Sequence, residues 1–281
     1  MRSPHRLARA LLLMIACAAV AAAAQQPQPQ SSASPPLAGI AHVALRVSNL
    51  DASRAFYKRL GFEEAFALDQ GGSPTEAFIK VNDTQFIELY PQRQPGEALG
   101  FLHVCYLSHD LEALNQFYRA RGLSPTEVAR GGAGNLLFSL HGPGLGNIEF
   151  TQYMPGSRHT NDISQHIGEH RIATGIAGVA FPSNDPQGAI NFHAGRMAFP
   201  RVKKHGSSFG IPGDSADEVE ILRAAEPLRL TLEANDPNKD LKQTALELRN
   251  RGIPATRRHA ILILQDPDGN TIELRQAAGA R

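Results

Sequence analysis

A histidine and a glutamate stand 46 residues apart twice in this chain, as His42 and Glu88 and again as His103 and Glu149. A shift of 61 positions lays the first pair over the second, and the same shift superimposes Phe56-Tyr57 on Phe117-Tyr118 and Gly61 on Gly122. Self-similarity at a fixed offset is the mark of a duplicated supersecondary unit. The chain is therefore expected to fold as copies of one module. Two imidazoles and two carboxylates, duplicated with that module, are the donor set of a divalent metal site.

Each copy reads the same way. In Gly39 to Val47, the residues Val43, Leu45 and Val47 recur at period two, which predicts a strand with one buried face and leaves His42, Ala44 and Arg46 on the other. Asp51 is the expected N-cap of a helix whose apolar side is Ala55, Phe56, Tyr57 and Leu60, with Gly61 closing it. Three short strands follow, and in the last, Thr84 to Tyr90, alternation places Phe86, Glu88 and Tyr90 on the His42 side. The second copy has Leu102 to Tyr106, a helix over Leu111 to Arg121, and Gly146 to Phe150, so His103 and Glu149 face the same concave surface.

With these units the chain resembles the vicinal oxygen chelate superfamily, which includes glyoxalase I, methylmalonyl-CoA epimerase, extradiol dioxygenases and the fosfomycin and bleomycin resistance proteins. Asp266-Pro267-Asp268-Gly269-Asn270-Thr271-Ile272-Glu273-Leu274 is similar to the turn and final strand of such modules. The resemblance implies an α+β fold of four βαβββ modules paired into two glyoxalase-like domains. It also implies metal ligands on the first and last strands of a module, here His42, Glu88, His103 and Glu149.

The two later copies are degenerate. A shift of 136 puts Gly178 in the place of His42, and Leu228 to Leu232, the best first strand of the fourth copy, puts Arg229 in a ligand position; Glu220 and Glu273 keep the carboxylates. A glycine, an arginine and two acids are not a transition-metal site. The chemistry is thus expected in residues 39–155, joined through a connector at 156–172 to a scaffold domain at 173–277.

The first residues read as an address. Arg2, Arg6 and Arg9 precede an apolar run from Ala10 to Ala24, which predicts a secretory signal peptide over residues 1–24 and a periplasmic or extracellular destination. The run is shorter than the roughly 20 residues of a spanning helix, so no membrane insertion is expected after cleavage. A lipoprotein box at Met14 to Cys17 is the alternative. Residues 25–38, rich in Gln, Pro and Ser, read as a disordered linker. Without the signal, 25 basic residues face 27 acidic ones, which argues against nucleic acid as a partner. Only Cys105 then remains, so no internal disulfide is expected. It reads as a small semi-buried hydrophobe near the cleft.

His166-Ile167-Gly168-Glu169-His170 matches an inverted zinc-protease pattern, but lies in the connector with a glycine between the ligands. His141, His159 and His259 have no partner at a telling spacing and read as ordinary polar residues.

Two imidazoles and two carboxylates suit Ni, Co, Zn, Mn or Fe(II) as cofactor, acting on a small-molecule substrate. By resemblance, four ligands imply glyoxalase I-like lyase or isomerase chemistry, in which the metal stabilises an enediolate and Glu88 or Glu149 acts as base. Arg46, Phe86 and Tyr90 would then line the substrate pocket. Export counts against a glutathione-dependent cytoplasmic detoxifier. An Fe(II) extradiol-type dioxygenase with three ligands, and a non-catalytic binding protein of the bleomycin-resistance type, are the alternatives. A homodimer is open, although both histidine-bearing modules share one chain.

Overall fold

The computed structural model of the chain describes residues 34–202, 206–213, 215–235 and 241–276. The expected signal peptide, and the tether as far as residue 33, lie outside these residues. No helix among the described residues is long and apolar enough to cross a membrane.

The first module is β1 (Leu37–Val47), α1 (Leu50–Arg59), β2 (Glu63–Gln70), β3 (Ser73–Lys80) and β4 (Phe86–Pro91). The second repeats it as β5 (Gly100–Ser108), α2 (Leu111–Ala120), β6 (Ala129–Arg130), β7 (Leu136–His141) and β8 (Asn147–Gln152). A short helix α3 (Arg158–Asn161) lies in the connector. The third module is β9 (Ala173–Ser183), α4 (Pro186–Asn191) continuing into a π-helical turn at Phe192–Arg196, β10 (Ser208–Gly210) and β11 (Glu218–Arg223). The fourth is β12 (Arg229–Ala234), α5 (Leu241–Asn250), β13 (Thr256–Arg258), β14 (Ile261–Gln265) and β15 (Thr271–Arg275).

Each pair of modules shares one sheet. The first runs β2-β3-β4-β1-β5-β8-β7-β6 and the second β10-β11-β9-β12-β15-β14-β13. This is the expected α+β architecture of two glyoxalase-like halves, with one shortfall. Among the described residues the third module has two strands after its helix where the others have three, and one of them is only three residues long.

Local chemistry explains most boundaries. The cap of α1 is Asn49, two residues before the expected Asp51: its side chain accepts the Ala52 N–H, while Asp51 sits in the first turn, where its charge favours the helix dipole. Ser53, not Ala55, completes the buried side of the helix beside Phe56 and Tyr57. Gly61 has φ +88°, and a Cβ there would lie 2.2 Å from the His170 carbonyl oxygen, so the connector packs where only glycine leaves room. Asp110 caps α2 through the Ala113 N–H.

The helices cover one face of each sheet. Val43, Leu45, Ile87 and Leu89 are buried under α1, and Tyr106, Tyr118, Phe138 and Phe150 form the equivalent layer under α2. Each such ring or branched side chain contributes about 1.5–3 kcal/mol by leaving water. The halves meet directly inside one compact unit, Ala33–Arg281. Phe101 stacks on Phe181 at 4.9 Å, and the Gln85 amide pairs with the backbone of Ile176 through bonds of 2.8 and 2.9 Å. The other face of the first sheet is concave and carries the polar residues.

Candidate metal centre

Four neighbouring strands build the site. β1 and β5 are antiparallel neighbours at the middle of the sheet, flanked by β4 and β8, which run parallel to them. Across the central pair His42 stands opposite Cys105, and Ala44 opposite His103. Glu88 lies beside Ala44, and Glu149 beside Cys105. The two modules are thus related by a local two-fold axis, and the four duplicated residues come together from strands far apart in sequence.

Their atoms are close. The Nε2 atoms of His42 and His103 are 3.1 Å apart, and Glu149 Oε2 lies 3.4 Å from His103 Nε2 and 3.8 Å from His42 Nε2. Three atoms at these separations share a point about 2 Å from each, the usual bond length from a divalent transition metal to imidazole or carboxylate. Glu88 is turned elsewhere, with its Oε1 3.0 Å from the other ring nitrogen of His42, Nδ1. That contact is off the hydrogen-bonding direction, so Nδ1 is buried without a hydrogen bond. Asn147 donates to Glu149 Oε1 at 2.9 Å, leaving Oε2 for the shared point. Two converging imidazole nitrogens with the Glu149 carboxylate beside them, and a second carboxylate at the far edge of the His42 ring, fit a divalent cation, and the chain carries the donor set of one. His42, Glu88 and His103 also form a group with one donor atom each within 4.8 Å of one another, as do His42, Cys105 and Glu149.

Charge within the site is shared unequally. Burial pushes Glu88 up, but the facing His42 imidazolium outweighs it and brings the carboxyl down to about 2. Burial pulls His42 down, and Cys105 and Glu88 together hold it well above its ordinary value. His103 is lowered by burial. Burial also raises Glu149, against which the His42 hydrogen bond and the His103 charge lower it. Without a cation the centre therefore holds a proton on its imidazoles, and metal binding must displace it. Cys105 is pushed up to about 11 by burial and packs with Ala41 and Leu107, so its thiol is a neutral wall at pH 7.

The centre opens into a cavity of about 120 Å³ lined by His42, Glu88, Tyr90 and Glu149 on one side and by Leu68, Phe78, Leu137 and Tyr153 on others. Tyr90 lies where its strand alternation puts it, with its hydroxyl 2.5 Å from Glu76 Oε1 and 3.2 Å from Glu88 Oε2. Arg46 and Phe86 do not line the cavity. Arg46 reaches Glu97 and the Ala98 carbonyl, and Phe86 is fully buried, edge-on to His159.

Two lining residues escape sequence reasoning. Glu76 sits on β3, and burial together with the Glu88 charge raises its carboxyl to about 8, so it is protonated at neutral pH. His159 comes from the connector. Neither belongs to the duplicated set, so no spacing flags it. His166, of the protease-like pattern, pairs instead with Asp162 at 2.5 Å.

Residues 39–144 match the family model of the "Glyoxalase/Bleomycin resistance protein/Dioxygenase superfamily". No curated protein matches the chain. Among solved structures the chain is similar to the 2,3-dioxygenase LapB from Pseudomonas sp. KL28, with TM-score 0.65 and 15% identity over 88% of this chain and 94% of that one. It is also similar to the Mn(II)-bound glyoxalase from Novosphingobium aromaticivorans, with TM-score 0.61 and 15% identity over 86% and 82%. Homoprotocatechuate 2,3-dioxygenase from Arthrobacter globiformis matches with TM-score 0.62 and 14% identity over 88% and 82%. At such identities the structures testify to the fold, and the family match covers His42, Glu88 and His103 but ends before Glu149. Residues 39–144 thus match the glyoxalase, bleomycin resistance and dioxygenase superfamily, and both halves of the chain carry the same kind of shared sheet.

Proposed function

We propose that the chain is a metal-dependent enzyme in which His42, His103 and Glu149 hold the metal and Glu88 braces His42 from outside, acting on a small molecule with two adjacent oxygen atoms. With Fe(II) this is an extradiol-type dioxygenase. The observation that carries the reading is the division of the carboxylates: Glu149 Oε2 shares a face with both Nε2 atoms, while Glu88 stands against His42 Nδ1. A two-histidine, one-carboxylate face leaves open positions and is the set used for non-haem Fe(II) oxygen chemistry. The dioxygenases among the similar structures support the same choice. Mn(II) is the second candidate ion, in line with the manganese-bound glyoxalase.

Bound Fe(II) would supply Lewis acidity toward the substrate oxygens and the redox capacity to use O₂. The rest falls to the chain. Glu88, whose carboxyl is brought down to about 2 chiefly by the His42 charge, pairs electrostatically with the outer edge of the His42 ring. Tyr90 and the protonated Glu76 form a hydrogen-bonded pair beside Glu88; both already carry their protons, so they serve as donors and not as a base. Leu68, Phe78, Leu137 and Tyr153 exclude water from a cavity comparable with the ~150 Å³ space that accepts a benzene ring.

A glyoxalase-like isomerase is the second reading, favoured by Glu88 lying in a group with both histidines. Anaerobic reconstitution with Fe(II), followed by oxygen-uptake measurement on catechols, separates them. Uptake with a yellow ring-opened product supports the dioxygenase; metal binding with solvent proton exchange on hydroxy-carbonyl compounds and no uptake supports the isomerase. Export is part of the proposal, supported by Arg2, Arg6 and Arg9 before the Ala10 to Ala24 run, and is tested by N-terminal sequencing of protein recovered from the cell envelope.

A further inference from the structure

We propose that His159 binds substrate in the cleft, donating a hydrogen bond from Nε2–H to a substrate oxygen or ring substituent; the proposal rests on the site being a substrate cleft, as argued above. His159 is buried, lines the cavity and belongs to no copy of the repeat.

Its tautomer is set by a neighbour. Asn135 Oδ1 accepts the Met154 backbone N–H at 3.2 Å, which fixes the amide so that its Nδ2 donates to His159 Nδ1 at 2.8 Å. A nitrogen that accepts carries no proton, so the neutral ring bears its hydrogen on Nε2. That Nε2 is buried with no hydrogen-bond partner among the described residues. A buried donor of this kind is costly unless something satisfies it.

The ring is held rigidly around that atom. Tyr153 stacks on it at 4.6 Å, and Phe86, Phe66 and Phe78 stand edge-on at 4.7, 5.0 and 5.4 Å. Ser157 caps the turn that carries it. Behind that turn Lys80, fully buried, donates to Asp162 Oδ2 at 2.8 Å and to the Gln165 carbonyl at 2.8 Å, and pairs with Asp83 at 2.9 Å. A buried ammonium is an expensive anchor, and here it fastens the connector segment to β3 next to the cavity. Aromatic walls, a fixed tautomer and one spare donor suit a planar oxygenated ring.

The test is a visible-absorbance titration of Mn(II)-loaded protein with 4-nitrocatechol, beside His159→Phe, His159→Leu and His159→Gln. The Phe variant keeps an aromatic ring and loses the donor; it should bind Mn(II) as the wild type does, by electron paramagnetic resonance, and bind the probe ~10-fold more weakly, the effect of one hydrogen bond. Gln, which restores an N–H, should recover part of the loss, and Leu carries the prediction if Phe fails to fold. Equal probe affinity in the wild type and in a folded, Mn(II)-loaded Phe or Leu variant overturns the role of His159 and leaves the metal centre standing. A wild type that takes up no Mn(II) overturns the metal centre and this proposal with it.

Discussion

The two halves of the molecule carry the same four positions in the same register and fill them differently. Arg229 faces Ala180 as His103 faces Ala44, and Gly178 faces Thr231 as His42 faces Cys105; Glu220 and Glu273 pair as Glu88 and Glu149 do. In the second half Arg229 bonds Glu220 and reaches Glu273 at 3.5 Å, so its guanidinium supplies the positive charge at the place that a metal ion would hold in the first. A Cβ on Gly178 would already lie 3.1 Å from the Glu218 carbonyl oxygen, leaving an imidazole no easy room. The carboxylates of the second half thus face a guanidinium where those of the first half face the candidate metal position. What separates a metal centre from a structural ion pair is two side chains.

That contrast breaks first at the histidines. Replacing His42 or His103 with Ala should lower Mn(II) or Fe(II) affinity by at least ~10³-fold, because a direct ligand is lost rather than the 10–100-fold effect of an outer partner. Metal content after dialysis measures it, and retained metal would mean that the centre lies elsewhere.

Acid should sharpen the contrast from the other side. His193, in the π-helical turn of the third module, donates Nδ1–H to the Ala189 carbonyl at 2.8 Å and is packed among Phe181, Phe199 and Phe209. Burial brings it down to about 4. Its folded value lies below the unfolded 6.5, so the unfolded chain binds the proton more tightly and stability falls as pH drops from about 6.5 toward 4. The full loss is about 3 kcal/mol. Urea unfolding at pH 7.5 and 4.5 should show it, and His193→Phe should flatten the slope through that window.

Glu88→Gln comes next. As a brace on His42 it should cost 10–100-fold in metal affinity with the bound stoichiometry unchanged, whereas Glu149→Gln should approach the histidine variants. Equal losses from both would favour four ligands and the isomerase reading. Smallest is Arg229→Met, which strands two carboxylates that are partly open to water. Screening limits the cost to about 1–2 kcal/mol, read as a lower melting temperature with the metal content untouched.

Duplication is why so much could be read from the chain. His42, His103, Glu88 and Glu149 announce themselves by recurring at one offset, and alternation along β1 and β4 assigns their face. Features confined to one copy are silent. His159 and Glu76 occur once, and their roles arise from a connector and a hairpin strand folding over the site, which no local pattern encodes. Asn49 and Asp51 are both capping residue types, and it is Asn49 that accepts the Ala52 N–H. The third module, which shows two strands after its helix among the described residues, is equally hidden, because the lack of a strand leaves no periodicity to notice. Arg46 alternates correctly toward the concave face, yet it lies near the end of β1, where Glu97 draws its side chain away.

Anomalous diffraction from crystals soaked in Mn(II) tests the central claim most directly. One strong manganese peak per chain is expected, bonded to His42 Nε2, His103 Nε2 and Glu149 Oε2, with Glu88 outside the coordination shell. A peak between Glu220 and Glu273, or none near His42 and His103, would contradict it.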